Sequence, residues 1–125
     1  MALETKIFDA LRATTTITDY VSTRVYPVRM PPSVAAFPTL VYSRVSVERV
    51  YTLSGFDKFE KATVQIDILA NTFDSAMSLA RSVSSAMEKS TEFEMCYLAN
   101  QQDLYEHDFE LYRVVQDFTV WHTTS

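Results

Sequence analysis

The sequence predicts an α+β fold: a mostly antiparallel sheet organised around one long β-hairpin, with two helices packed on it. Three observations support this. Two stretches within about 39–70 alternate apolar and polar residues on either side of Gly55, the only glycine in the chain. Two others, about 2–13 and 73–88, repeat apolar residues at helical spacing. A further alternating stretch runs from Leu111 to His122. The 125 residues read as one domain, 1–125, without repeat, linker or low-complexity tract.

In the first helix Leu3, Ile7, Ala10 and Leu11 form the apolar stripe, with Glu4, Lys6, Asp9 and Arg12 off it. The β-branched run Thr14-Thr15-Thr16 ends it, and Ile17, Tyr20 and Val21 add a short apolar turn. Val25-Tyr26-Pro27 is at most a short edge strand, because Pro27 has no N–H to give a ladder. From Val28 to Pro38 the prolines at 31, 32 and 38 predict a loop.

The first hairpin strand spans about Thr39 to Thr52. Val41, Val45 and Val47 share one face with Ser43, and Leu40, Tyr42, Arg44, Ser46 and Glu48 share the other. The second strand, Phe59 to Ala70, places Ala62, Val64, Ile66, Ile68 and Ala70 on one face. The tip between them, Leu53 to Lys58, is unusual in carrying Leu53 and Phe56, since solvated turns favour Asn, Asp, Gly and Ser.

Asn71-Thr72-Phe73-Asp74 supplies capping residues for the second helix. There Ala76, Leu79, Ala80, Val83 and Met87 are apolar, and Ser75, Ser78, Ser82 and Ser85 line the expected exposed face. Phe93 to Leu98 reads as a strand and Asn100 to Asp108 as a polar connection. In the last strand Tyr112, Val114, Phe118 and Val120 share one face, with Val115 and Trp121 on the other.

Composition narrows the function. Hydrophobic residues make up 47% and charged residues 22%, an ordinary globular mix that excludes disorder, collagen and coiled coil as whole-chain descriptions. No apolar run approaches the ~18 residues of a membrane span, and Met1-Ala2-Leu3-Glu4 has no signal-peptide character. The lone Cys96 fits a reducing compartment. Residues 1–61 carry eight basic and six acidic side chains, +2, whereas 62–125 carry three basic and ten acidic, −7. A surface that grips nucleic acid needs clustered Lys and Arg, so general DNA or RNA binding is not expected.

No catalytic constellation stands out. One glycine cannot build a phosphate loop or dinucleotide fingerprint. Cys96 lies inside an apolar strand pattern and reads as a packing residue. His107, in Glu106-His107-Asp108, has no second Cys or His at metal-site spacing and reads as a solvated loop residue, while His122 reads as structural. Asp103, Glu106, Asp108 and Glu110 lack calcium-loop spacing. No cofactor or metal is expected.

Four stretches, in order, then match a known pattern. They are Thr23-Arg24-Val25-Tyr26-Pro27; Phe37-Pro38-Thr39-Leu40-Val41-Tyr42 running into Arg49-Val50-Tyr51-Thr52-Leu53-Ser54-Gly55; Val64-Gln65-Ile66-Asp67 with the following helix; and Asp103-Leu104-Tyr105-Glu106 with Leu111-Tyr112-Arg113 and Asp117-Phe118-Thr119-Val120-Trp121-His122. Over nearly its whole length the chain resembles the tail completion or tail terminator proteins of long-tailed bacteriophages, departing from many of them in its scarcity of glycine. The resemblance implies a structural virion protein, not an enzyme, with no catalytic residues to carry over. Its members form a ring, typically a hexamer, that caps the tail tube, stops its polymerisation and meets the head-completion or neck proteins. That implies self-association, a tail tube partner, and DNA passing through a channel without specific binding. It also places the chain in the tail neck of the virion, assembled in the host cytoplasm, with no membrane partner.

Two sets of residues become candidates on this reading. Tyr51, Leu53, Phe56 and Phe59, at and behind the hairpin tip, are expected at an interface. Asp103, Glu106, Asp108 and Glu110 are expected at an acidic channel or rim, where like charge repels phosphate. Competing readings are another neck or tail-tube ring subunit, a non-viral intracellular ligand-binding α+β domain, and a small hydrolase using His107 or His122.

Overall fold

The strand with the cleanest alternation, Phe59–Ala70, sits in the middle of a five-stranded sheet. The computed structural model describes residues 3–13, 17, 21, 25–27, 37–50, 59–91, 93, 95–107 and 110–123. The strands are β1 (Val25–Pro27), β2 (Thr39–Val50), β3 (Phe59–Ala70), β4 (Met95–Glu106) and β5 (Leu111–Thr123), in the order β1-β2-β3-β5-β4. Only the β1–β2 pairing is parallel. The helices are α1 (Leu3–Arg12) and α2 (Phe73–Lys89). Architecture and both helices thus follow the sequence expectation.

Strand parity decides what is buried. Ala62, Val64, Ile66, Ile68 and Ala70 of β3, and Val114, Phe118 and Val120 of β5, are buried and join one core cluster. Leu3, Ile7, Ala10 and Leu11 of α1 complete that core from the helical side. So do Ala76, Leu79, Ala80, Val83 and Met87 of α2, with Ile17 and Val21. Each large apolar side chain buried here contributes roughly 1.5–3 kcal/mol. The second helix begins where its cap predicts: the Thr72 side chain accepts a hydrogen bond from the Ser75 N–H at 3.2 Å. Asp74 in the first turn and Lys89 in the last complement the helix dipole. Its serine face is less open than expected, for Ser75, Ser78 and Ser82 are half-buried and Ser85 is exposed.

Two expectations are corrected. Val41, Val45 and Val47 do not share a face. Leu40 and Tyr42 pair with Ile68 and Ile66, but past an irregularity between Arg44 and Ser46 it is Val47 that pairs with the buried Ala62. An extra residue in one strand reverses which residues face the core. Val45, at that irregularity, is 59% exposed. Second, the polar connection expected over Asn100 to Asp108 is strand as far as Glu106, and β4 begins at Met95 rather than Phe93. It is an edge strand whose residues from 99 to 105 are all exposed, so pairing with β5 holds it without any apolar alternation.

The β2–β3 hairpin is paired as far as Val50 with Phe59. Its tip, 51–58, lies outside the described residues, as do Thr14 to Thr16, Tyr20 and most of the loop expected over Val28 to Pro38.

Phe118, fully buried at the centre of the helix-facing side, should cost about 3–5 kcal/mol when changed to Ala. Val45→Thr at the exposed irregularity should stay within about 0.5 kcal/mol of the parent. Urea denaturation followed by circular dichroism measures both.

Candidate functional site

The polar and aromatic features of the surface are arranged by one register. β5 pairs with β3 on one side and β4 on the other. Residues opposite or diagonal across such pairs reach one another, and the prominent side-chain contacts follow from this.

At the end of the sheet near the β4–β5 turn, Tyr105 and Tyr112 are directly paired and their rings meet edge to face at 5.0 Å. Phe73, the first residue of α2, packs on Tyr112 at 5.9 Å, and His107 packs on Tyr105 at 4.9 Å. Phe73, Tyr105 and Tyr112 border an open groove of about 190 Å³, lined also by Ala76, Met77, Asp103, Leu104, Arg113 and Val114. Phe73 is 52% exposed, Leu104 44% and Tyr105 43%.

On the opposite side of the sheet, Arg113 reaches diagonally to both neighbouring strands. Its guanidinium donates to Asp67 at 2.6 Å and to Glu106 at 3.2 Å. Burial alone would lower its pKa, but the two carboxylates outweigh that and hold it above its ordinary value. Further along, Lys61 lies over the Trp121 ring at 5.6 Å, again a directly opposed pair.

Two buried polar residues tie the layers together. The Gln116 amide donates to the Ala80 carbonyl of α2 at 3.0 Å and to Gln101 Oε1 of β4 at 2.9 Å. With both amide hydrogens so used, its own Oε1 is buried without a hydrogen-bond partner, a cost of about 1–3 kcal/mol. His122 lies between Lys6 Nζ, 3.4 Å from its Nδ1, and Glu60, 3.2 Å from its Nε2. Lysine can only donate. Nδ1 is therefore the acceptor, and Nε2–H donates to Glu60. The ring thus sits between a lysine and a carboxylate, consistent with the structural role expected for it.

The predicted site residues are not gathered in one place. Tyr51, Leu53 and Phe56 lie outside the described residues, and Phe59 opens β3, paired with Val50 and Thr123. Asp103 is exposed, accepts from Gln101, and pairs with helix-facing Val114; Glu106, engaged by Arg113, lies on the other face. Glu110 is exposed in the β4–β5 turn at φ 53, and Asp108 lies outside the described residues. Among the described residues no cluster of three or more His, Cys, Asp or Glu could hold a metal. The groove was missed because Tyr105 fell in a stretch read as a connection. The available signal was a tyrosine pair flanking a short turn.

The sequence matches the family described as tail completion protein gp17 over residues 5–123. The chain belongs to that family. Membership makes it a structural protein of the virion tail, in a family that is not one of enzymes. Its fold is similar to that of a chain in the virion of a native gene transfer agent particle, with a TM-score of 0.74 and 19% identity over 96% of this chain and 93% of the other. No curated protein matches the sequence. Among the described residues no helix is long and apolar enough to cross a membrane.

Cys96 behaves as the packing residue expected of it. Burial, reinforced by the nearby charge of Glu88, pushes its thiol up to about 12. Since the thiolate is the reactive form, iodoacetamide at pH 8 should label the native protein at least about a hundredfold more slowly than the urea-unfolded chain. Time-resolved mass spectrometry reads the difference. Gln116→Leu should fall within about 1 kcal/mol of the parent stability, because it removes an orphaned buried acceptor together with the bonds lost; urea titration measures it.

Proposed function

We propose that this tail completion family member is a ring-forming tail terminator, most simply a hexamer. The ring caps the finished tail tube, stops further polymerisation and presents the surface that joins tail to head. The observation that carries the reading is the family match over 5–123. The geometry supports it: β4 is a 12-residue edge strand, and beside it lies an open groove bordered by exposed Phe73, Leu104 and Tyr105. Both are assembly features rather than catalytic ones. Its partners are then other copies of itself, the tail tube protein, and a head-completion or neck protein.

Two finer assignments belong to this proposal. The hairpin tip and its base, Tyr51, Leu53, Phe56 and Phe59, form part of an interface. The acids of β4 and the following turn, Asp103, Glu106, Asp108 and Glu110, border the channel. Arg113 already neutralises much of Glu106, so Asp103 and Glu110 are the described residues best placed to repel phosphate.

Multi-angle light scattering and negative-stain microscopy, with and without purified tail tubes, test the ring. The expected result is a closed ring of uniform diameter, in solution or on tube ends, and tubes that no longer elongate once capped. A monomer in both conditions overturns it. A ring that leaves tube growth unchanged points instead to a different neck or tube subunit.

A further inference from the structure

We propose that the groove between the first turns of α2 and the β4–β5 hairpin receives the β2–β3 hairpin tip of a second copy of the chain, with the Phe56 ring seated among Phe73, Met77, Tyr105 and Tyr112. The inference deepens the ring reading and rests on it.

Four observations lead to this occupant. The groove measures about 190 Å³. That is below the ~300–1,000 Å³ of small-molecule pockets and close to the ~150 Å³ cavity that accommodates a benzene ring, so its scale is that of one phenyl side chain. Its lining is mainly aromatic and apolar, with Asp103 and Arg113 the charged residues among it, which suits an anchor residue at an interface. The tip offers such anchors, Leu53 and Phe56, on either side of Gly55, where water exposure would forgo roughly 1.5–3 kcal/mol of burial for each. Asp57 and Lys58 leave the tip without net charge, so the acids near the groove do not repel it.

The length of the sheet excludes the chain's own tip. The tip springs from the Val50–Phe59 pair, whereas the groove lies at the far end of the sheet, where Ala70 pairs with Tyr112 and Tyr112 with Tyr105. Eleven residue steps along β3 separate the two ends, about 36 Å at the usual rise. The connection 51–58, held at both ends, extends at most about 16 Å even when fully stretched. Tip and groove are thus unlike surfaces that only different copies can join. Repeated around an axis, such a heterologous contact closes into a ring when its rotation closes.

Cysteine cross-linking tests this in a Cys96→Ser background. One variant carries Phe56→Cys, a second Asp103→Cys and a third both. Each is checked by circular dichroism and oxidised with and without purified tail tubes. Neither single variant alone should give a disulfide-linked product across this contact, their mixture should give dimers, and the double variant should give a ladder of higher oligomers. Phe56→Ser should weaken self-association about tenfold or more while the chain stays folded, as for an aromatic hot spot. Leu53→Cys with Met77→Cys provides a second pair if the first misfolds. Rings visible by microscopy without cross-links in either pair overturn this contact and leave the ring reading standing. Monomers without cross-links overturn both, and a ladder that never closes keeps the contact but not the ring. Phe109, two residues after His107 in the sequence, is the rival occupant from within the same chain. If it holds the place, neither pair cross-links.

Discussion

The pairing register of β5 between β3 and β4 is the constraint on which the rest depends. β5 is hydrogen-bonded along its length to both neighbours, and that pairing places Phe118 and Val120 against the helices and Arg113 and Trp121 on the other face. A slip of one residue would exchange these sets. It would bury Arg113 and Asp117 under α2 and expose Phe118. The register is therefore held by burial on one side, and the contacts on the other side follow from it. Lys61 meets Trp121, Glu60 meets His122, Gln101 meets Gln116 and Tyr105 meets Tyr112 because each pair is directly opposed.

This explains how much was legible in the sequence. β3 and α2 announce themselves through local periodicity, and Thr72 through cap chemistry, because the cause of each lies within a few residues. The β2 irregularity does not, since one extra residue leaves no mark in composition yet reverses every face beyond it. β4 does not either. An exposed edge strand needs no apolar alternation, and Asn100-Gln101-Gln102-Asp103 looks like a loop until β5 is there to pair with it. The groove was hidden for the same reason. Its rings come from residues 73, 105 and 112, and only the hairpin register brings them together. Membership of the family could be read from ordered motifs, whereas the surfaces an assembly would use depend on pairings that no short stretch contains.

The buried polar residues show what fixes the helical layer to the sheet. An all-apolar interface tolerates sliding, because hydrophobic burial is not directional. Gln116 is directional: its amide holds one carbonyl of α2 and one side chain of β4. His122, held between Lys6 of α1 and Glu60 of β3, does the same for the first helix. The unpartnered Gln116 oxygen means that this positioning carries a stability cost, so its value lies in specifying one arrangement rather than in strengthening the core.

The sheet order also turns an asymmetry of sequence into one of shape. Residues 1–61 sum to +2 and residues 62–125 to −7. With strands ordered β1-β2-β3-β5-β4, the first half supplies one edge of the sheet and the second half the other. The acidic half therefore ends in a long edge strand, β4, while the opposite edge is formed by three-residue β1 beside β2. Two copies meeting β4 to β4 would set their acidic halves side by side. Copies meeting unlike edge to unlike edge would not. The charge distribution thus disfavours the two-fold pairing that an exposed edge strand otherwise invites. It leaves the head-to-tail arrangement, in which every subunit repeats the same unlike contact, as the less repulsive way to assemble.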